Sequence, residues 1–331
     1  AGDSLSNDGS CTLREAITNA NDNASTWPDC AGIGFGADTI QFAPSVTSIT
    51  LSSDLPDIID SAGLTIDGTP ADGLVSIDGA GSYRPFQVAA SASLTLSGVE
   101  ISNGQVTGTN GGGVLNNGTL YLNNSYLSQN RTDQNGGGIY NASGATAEIT
   151  NSTFEYNRSD LEGGGIYNGG TLMVANSTLW QNSANPGLGY DGGGIYNTSG
   201  GTLTLLNSTL ANNWMTNVLN AAGGTFHFAN TILANSDDCR NYGTIGTNTH
   251  NLVEWESIPA LTCAGADTIR DDPQLVQPLT DNGGPTQTLA LPSGSLAIDA
   301  GDDTICAAAP ISGLDQRGVA RPQYAHCDIG A

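Results

Sequence analysis

Lysine is missing from this 331-residue chain. Its eight basic residues are all arginines, set against 32 acidic ones, for a formal charge of −24. So few cations, with none in clusters, exclude the basic patches that nucleic acids and anionic membrane surfaces require. No apolar run approaches the roughly 20 residues of a membrane span. No signal peptide opens the sequence either, so a mature or trimmed chain without membrane insertion is expected. Cys-x-x-Cys motifs are also absent. The six cysteines, Cys11, Cys30, Cys239, Cys263, Cys306 and Cys327, fall as three sequence-local pairs. An even count in that arrangement predicts disulfides between neighbours and an oxidising, extracellular or cell-surface setting.

What is abundant is glycine, at 45 residues, yet alternating apolar residues persist throughout and argue against disorder. The glycines are periodic. Gly136-Gly137-Gly138-Ile139-Tyr140-Asn141 recurs as Gly163-Gly164-Gly165-Ile166-Tyr167-Asn168 and as Gly192-Gly193-Gly194-Ile195-Tyr196-Asn197, with a looser copy from Gly111 to Asn116. Spacings of 25, 27 and 29 residues mark a stacked array, in which each unit buries its apolar face against its neighbours. Each unit also carries a second signature, at Asn124 to Asn130, Asn151 to Asn157, Asn176 to Asn182 and Asn207 to Asn213. One unit therefore reads strand, Asn corner, short strand, Asn corner, variable loop, glycine triplet, strand. That is the plan of a parallel β-helix, whose coils stack at about 4.8 Å and align like residues into ladders. The triplet glycines, together with Asn130, Asn157 and Asn182, are accordingly expected to be structural.

In chain order, residues 1–38 form an N-terminal cap with a helix at 12–22, where Thr12 and Glu15 have capping-box spacing and Leu13, Ala16, Ile17 and Ala20 share one face. Residues 39–93 hold irregular first coils, 94–238 the regular repeats, and 239–331 the last coils and a C-terminal cap.

Three segments resemble known families. Cys11-Thr12-Leu13-Arg14-Glu15-Ala16 resembles the N-terminal Cys-Ser-Leu-Arg-Glu-Ala domain of bacterial surface proteins, with Thr in place of Ser. The glycine triplet paired with Phe154-Glu155-Tyr156-Asn157 resembles the repeats of chlamydial polymorphic outer-membrane proteins, although Leu127, Leu179 and Leu210 replace the aromatic in the other units. Residues 272–331 resemble the choice-of-anchor region of bacterial surface proteins, through Asp281-Asn282-Gly283-Gly284-Pro285-Thr286, Ala297-Ile298-Asp299-Ala300-Gly301 and Cys327-Asp328-Ile329-Gly330. These resemblances imply a right-handed parallel β-helix, all-β apart from its capping helix, displayed at a cell surface with an adhesive role.

Candidate chemistry sits in the loops ahead of the triplets, which supply Asp133, Asp160 with Glu162, and Asp191. One coil apart, two carboxylates would lie about 5 Å from each other, the separation used by a retaining glycosidase. The competing reading is acidic loops facing water, and their variable lengths suit it better, because catalytic carboxylates need precise support. A polyuronate lyase would need cations for the substrate carboxylate. The array offers only Arg131 and Arg158, each beside its own Asp. Tyr140, Tyr167 and Tyr196 should point outward if Ile139, Ile166 and Ile195 point inward. They form either a strip that holds glycan rings or a stabilising ladder. His227, His250 and His326 lack metal spacing, and no cofactor is called for. Oxygen-rich loops leave weak calcium binding open, without an Asp-x-Asp-x-Asp-Gly loop to support it. Arg317 and Arg321, among Asp299, Asp315 and Asp328, are expected to close the C-terminal end. The leading expectation is a non-catalytic surface or matrix protein, an adhesin or stalk, with itself or glycans as partners and self-assembly into filaments. The alternative is a polysaccharide-active enzyme, hydrolase or lyase, that uses the loop carboxylates.

Overall fold

A computed structural model describes residues 3–30, 36–69, 73–185 and 191–331. The helix spans Leu13–Asp22 with Thr12 as its N-cap rather than its first turn. The capping box is complete: Glu15 N–H donates to Thr12 Oγ1 at 3.3 Å, and Thr12 N–H donates to Glu15 Oε2 at 2.9 Å. Leu13, Ile17 and Ala20 pack on the first coil as part of the solenoid core. Arg14 holds the helix in place through an ion pair to Asp3 at 2.8 Å and a hydrogen bond to Ser53 O at 2.9 Å.

The rest is a parallel β-solenoid. A first 9-stranded sheet runs from Asp38–Gln41 to Thr244–Thr249, and a second from Ser48–Thr50 to Leu252–Val253. A third sheet, 7-stranded, runs from Phe86–Val88 to Asp237–Asn241. Strand alternation sends Leu120, Ile149, Leu172 and Leu203 inward from the first sheet, Leu127, Phe154 and Leu179 from the second, and Ile139, Ile166 and Ile195 from the third. All belong to one continuous core.

Corners between sheets need a left-handed residue. Asn124, Asn151, Asn176 and Asn207 supply it between the first and second sheets, with φ of 48°, 51°, 46° and 45°. Asparagine tolerates that region better than most side chains. Two buried amide ladders then run along the axis. In one, Asn116, Asn141, Asn168, Asn197, Asn220 and Asn241 pass Nδ2–H to Oδ1 in series at 2.7–2.8 Å. In the other, Asn130, Asn157, Asn182 and Asn213 do the same at 2.9 Å, through Asn217 to Asp238. Each buried amide is thereby satisfied by the coil beside it, which removes the penalty of an unpaired polar group.

The cysteines pair as neighbours, Cys11 with Cys30, Cys239 with Cys263 and Cys306 with Cys327. The stretch around Cys263 meets the last coil, where Leu252 bridges Ile269. Beyond it the chain turns back. Residues 275–329 lie along the outer face of the second sheet, where Leu275, Leu279, Leu289, Ala297 and Ile329 cover Trp180, Ala211, Ile232 and Ala234. Gln316 bridges two coils, accepting from Thr178 Oγ1 at 2.7 Å and donating to Thr153 Oγ1 at 2.8 Å. The Arg317–Asp315 ion pair and the Arg321 hydrogen bond to Gly330 O at 3.0 Å therefore knit a flanking segment, rather than closing the C-terminal end as the sequence suggested. The physical reason is the apolar outer face of the late second-sheet strands, which this segment removes from water.

Candidate functional site

The glycine triplets place the outward column of the third sheet. Gly136, Gly163 and Gly192 have φ of 74°, 69° and 70°, so the first position needs a residue that enters the left-handed region freely. The next two are tight for a different reason. A Cβ on Gly164 would meet the Ser183 backbone at 2.4 Å, and one on Gly165 would meet Gly194 O at 2.6 Å. Gly137 and Gly138 face the next coil in the same way, at 2.4 Å from Gly164 O and 2.6 Å from Gly165 O. Gly193 and Gly194 do so at 2.0 Å from Trp214 O and 2.3 Å from Asn217 O. Close backbone approach then delivers each isoleucine inward and each tyrosine outward.

Tyr140, Tyr167 and Tyr196 are half-buried and stack, with ring centroids 4.9 and 5.4 Å apart and planes within 10°. Tyr167 thus has a neighbour on both ring faces. By register the column continues to Leu115 on one side and to Leu219 and Arg240 on the other. Burial, with the adjacent Tyr167, pushes the Tyr140 hydroxyl upward.

The loop carboxylates divide into two columns. Because Thr132 pairs with Ser159, Asp133 and Asp160 occupy equivalent positions. Asp160 is engaged by Arg131 at 3.3 Å and by Arg158 at 3.1 Å, while Asp133 Oδ1 accepts from Gly108 N–H at 2.7 Å. Glu162 and Asp191 instead precede the triplets. Gly136 N–H donates to Glu162 O at 3.0 Å and Gly163 N–H to Asp191 O at 3.4 Å. Burial raises the Glu162 carboxyl and the Asp191 charge adds to this, opposed by a hydrogen bond from Tyr196. Burial and the Glu162 charge also raise the Tyr196 hydroxyl well above its ordinary value. Asp191 is itself consumed: Thr216 Oγ1 donates to it at 2.6 Å, Gly192 N–H at 2.7 Å, and Arg240 closes an ion pair. The structure therefore brings Glu162, Asp191 and Tyr196 together and leaves Asp133 and Asp160 in a separate column. Residues 186–190, in the loop ahead of Gly192, lie outside the described residues.

Arg240 was not singled out by sequence reasoning, which looked for cations within the repeats. The signal was its register with the tyrosine column, two coils past Tyr196. Among the described residues, no group of three or more His, Cys, Asp or Glu side chains could hold a metal ion, and no helix is long and apolar enough to cross a membrane. No family model, curated protein or solved structure matches the chain, so the resemblances at Cys11 to Ala16, in the repeats and at 272–331 rest on those motifs alone.

Proposed function

We propose that this is an extracellular, non-catalytic β-helix protein with a structural or adhesive role. The observation that carries the reading is the fate of the loop carboxylates. Asp160 is neutralised by two arginines, Asp191 by Arg240 and Thr216, and Glu162 is tied to Tyr196. None is left as one of a free, facing pair of the kind glycoside hydrolysis uses. Three disulfides favour an oxidising compartment. The stacked tyrosines serve as a ladder that stiffens the rod, because a sugar ring needs an open aromatic face. Assembly with further copies would use the flanks, since the helix covers the first coil and the stretch around Cys263 meets the last.

One observation favours the polysaccharide-active alternative: the raised Glu162 carboxyl beside Asp191 has the character of a general acid. A glycan panel assayed for new reducing ends and for unsaturated uronate absorbance separates the two. The structural reading expects no turnover. Turnover that Glu162→Gln or Asp160→Asn abolishes, with the fold intact, would establish the enzyme instead.

A further inference from the structure

The array changes after Asn213. The inward residue of the third sheet follows the ladder asparagine by 9 positions from Asn130 to Ile139, by 9 from Asn157 to Ile166 and by 13 from Asn182 to Ile195. From Asn213 to Val218 the step is only 5. This coil has no loop and no glycine triplet, and an aromatic residue follows the ladder directly. That residue is Trp214, which is 59% exposed. It stands in register with Ser183 and, one coil earlier, Arg158, and the small Ser183 leaves a notch beside the indole. Met215, next in the chain, holds φ of 74°, a conformation costly for a side chain other than glycine or asparagine.

Trp214 borders an open cavity of about 550 Å³, within the range of small-molecule sites. Met215 adds apolar surface beside the indole, and Gln181, Ser183, Asn212, Asn235 and Ser236 supply uncharged amides and hydroxyls around them. The one carboxylate there, Asp237, is already held by Arg240 Nε at 2.6 Å and by Ser257 N–H at 2.8 Å. Asn235 and Ser236 line the wall, while Asn235 Nδ2 and Ser236 Oγ lie buried behind it, out of a ligand's reach.

We propose that this cavity binds a neutral pyranoside segment of a glycan, with the apolar face of one sugar stacked on the Trp214 indole and its hydroxyls meeting the amides and serines. The chemistry favours this ligand over the others. An apolar patch of Trp214 and Met215 ringed by neutral amides and hydroxyls matches a sugar, which has an apolar ring face and a hydroxyl rim. A polyanion would approach a chain of charge −24 with no cation free in the cavity wall. The tyrosine column differs in the decisive respect, since its rings are stacked on each other. Among the described residues no ring packs on Trp214. The inference is independent of the non-catalytic reading, which turnover would overturn without touching it.

The test is calorimetric titration of the whole chain with cellohexaose, laminarihexaose, mannohexaose and chitohexaose, and with a polyuronate and a peptide library as competing classes. At least one neutral hexasaccharide should bind, and Trp214→Ala should weaken it by about tenfold or more, equivalent to about 1.4 kcal/mol. Asn235→Ala should weaken it a few-fold. Trp255→Ala, which removes another exposed indole, should leave it unchanged. Unfolding is not a confounder for so exposed a side chain, and thermal melting of each variant checks it. No binding to any neutral hexasaccharide, binding only to the polyuronate or peptides, or affinity unaltered by Trp214→Ala would each overturn the proposal.

Discussion

Between Asn130 and Asn197 every coil carries a loop and a glycine triplet ahead of its inward isoleucine, whereas between Asn213 and Asn220 the chain passes straight from one amide ladder to the other. Both stretches keep the ladders unbroken, at 2.9 Å through Asn213 and 2.7 Å through Asn220. The difference lies only in what is hung on the frame. Where the repeat is regular, its ladder amides are answered by the neighbouring coil and Asp160 by two arginines. Where it is interrupted, an exposed indole stands without a ring stacked on it among the described residues. Residues that recur at fixed spacing thus describe the rod, and chemistry available to a partner sits at the departure from the pattern.

The comparison is broken most severely at a ladder. In Asn157→Ala, the Asn130 N–H and amide both lose their acceptor, at 3.1 and 2.9 Å, inside the core. A loss of about 3 kcal/mol or more is expected in urea unfolding. Asp133→Ala, in the loop of the preceding coil, should stay within about 0.5 kcal/mol. Equal losses for the two would erase the distinction between frame and loop. Gly165→Val comes next. Its Cβ would sit 2.6 Å from Gly194 O, and overpacking of that kind costs about 1–3 kcal/mol. An unchanged melting temperature would mean that the triplet is not set by close approach.

The third effect depends on pH. At Asp238 a carboxylate occupies the position where the ladder elsewhere has an amide. Burial, aided by the Glu254 charge, pushes it up to about 8 from 3.8, against hydrogen bonds from Trp255, Ser236 and Asn217. The unfolded chain releases this proton near the ordinary value and the folded chain holds it to about 8. The folded state therefore binds more protons across that window, and stability falls as pH rises through it, by at most about 1.4 kcal/mol per pH unit. Asp238→Asn should flatten this slope between pH 5 and pH 8, on the order of three units within that window. Parallel stability curves for the two proteins would place the pH dependence elsewhere.

Much of the frame was legible because its causes are local or periodic. Thr12 and Glu15 announced the helix through capping chemistry, neighbouring cysteines announced their partners, and the Asn and Gly columns announced the coil. The return of residues 275–329 along the second sheet was not read, since nothing in that segment repeats. Its trace lay elsewhere, in Thr178–Trp180, Thr209–Ala211 and Ile232–Ala234, where every residue is buried and the usual outward polar position is lost. A strand without alternation is a strand covered on both faces. Trp214 escaped for the opposite reason. It belongs to no motif, and its signal was a missing loop between Asn213 and Val218 that only counting from ladder to ladder exposes.

Residue-resolved hydrogen–deuterium exchange tests the division between frame and loop most directly. The backbone amides of Asn130, Asn157 and Asn182 donate to the next coil's asparagine at 3.0–3.1 Å, whereas the N–H of the exposed Gly108 donates to the loop carboxylate of Asp133. The ladder amides should exchange only through global unfolding, and Gly108 through local opening orders of magnitude faster. Ladder amides that exchange as readily as Gly108 would contradict the account.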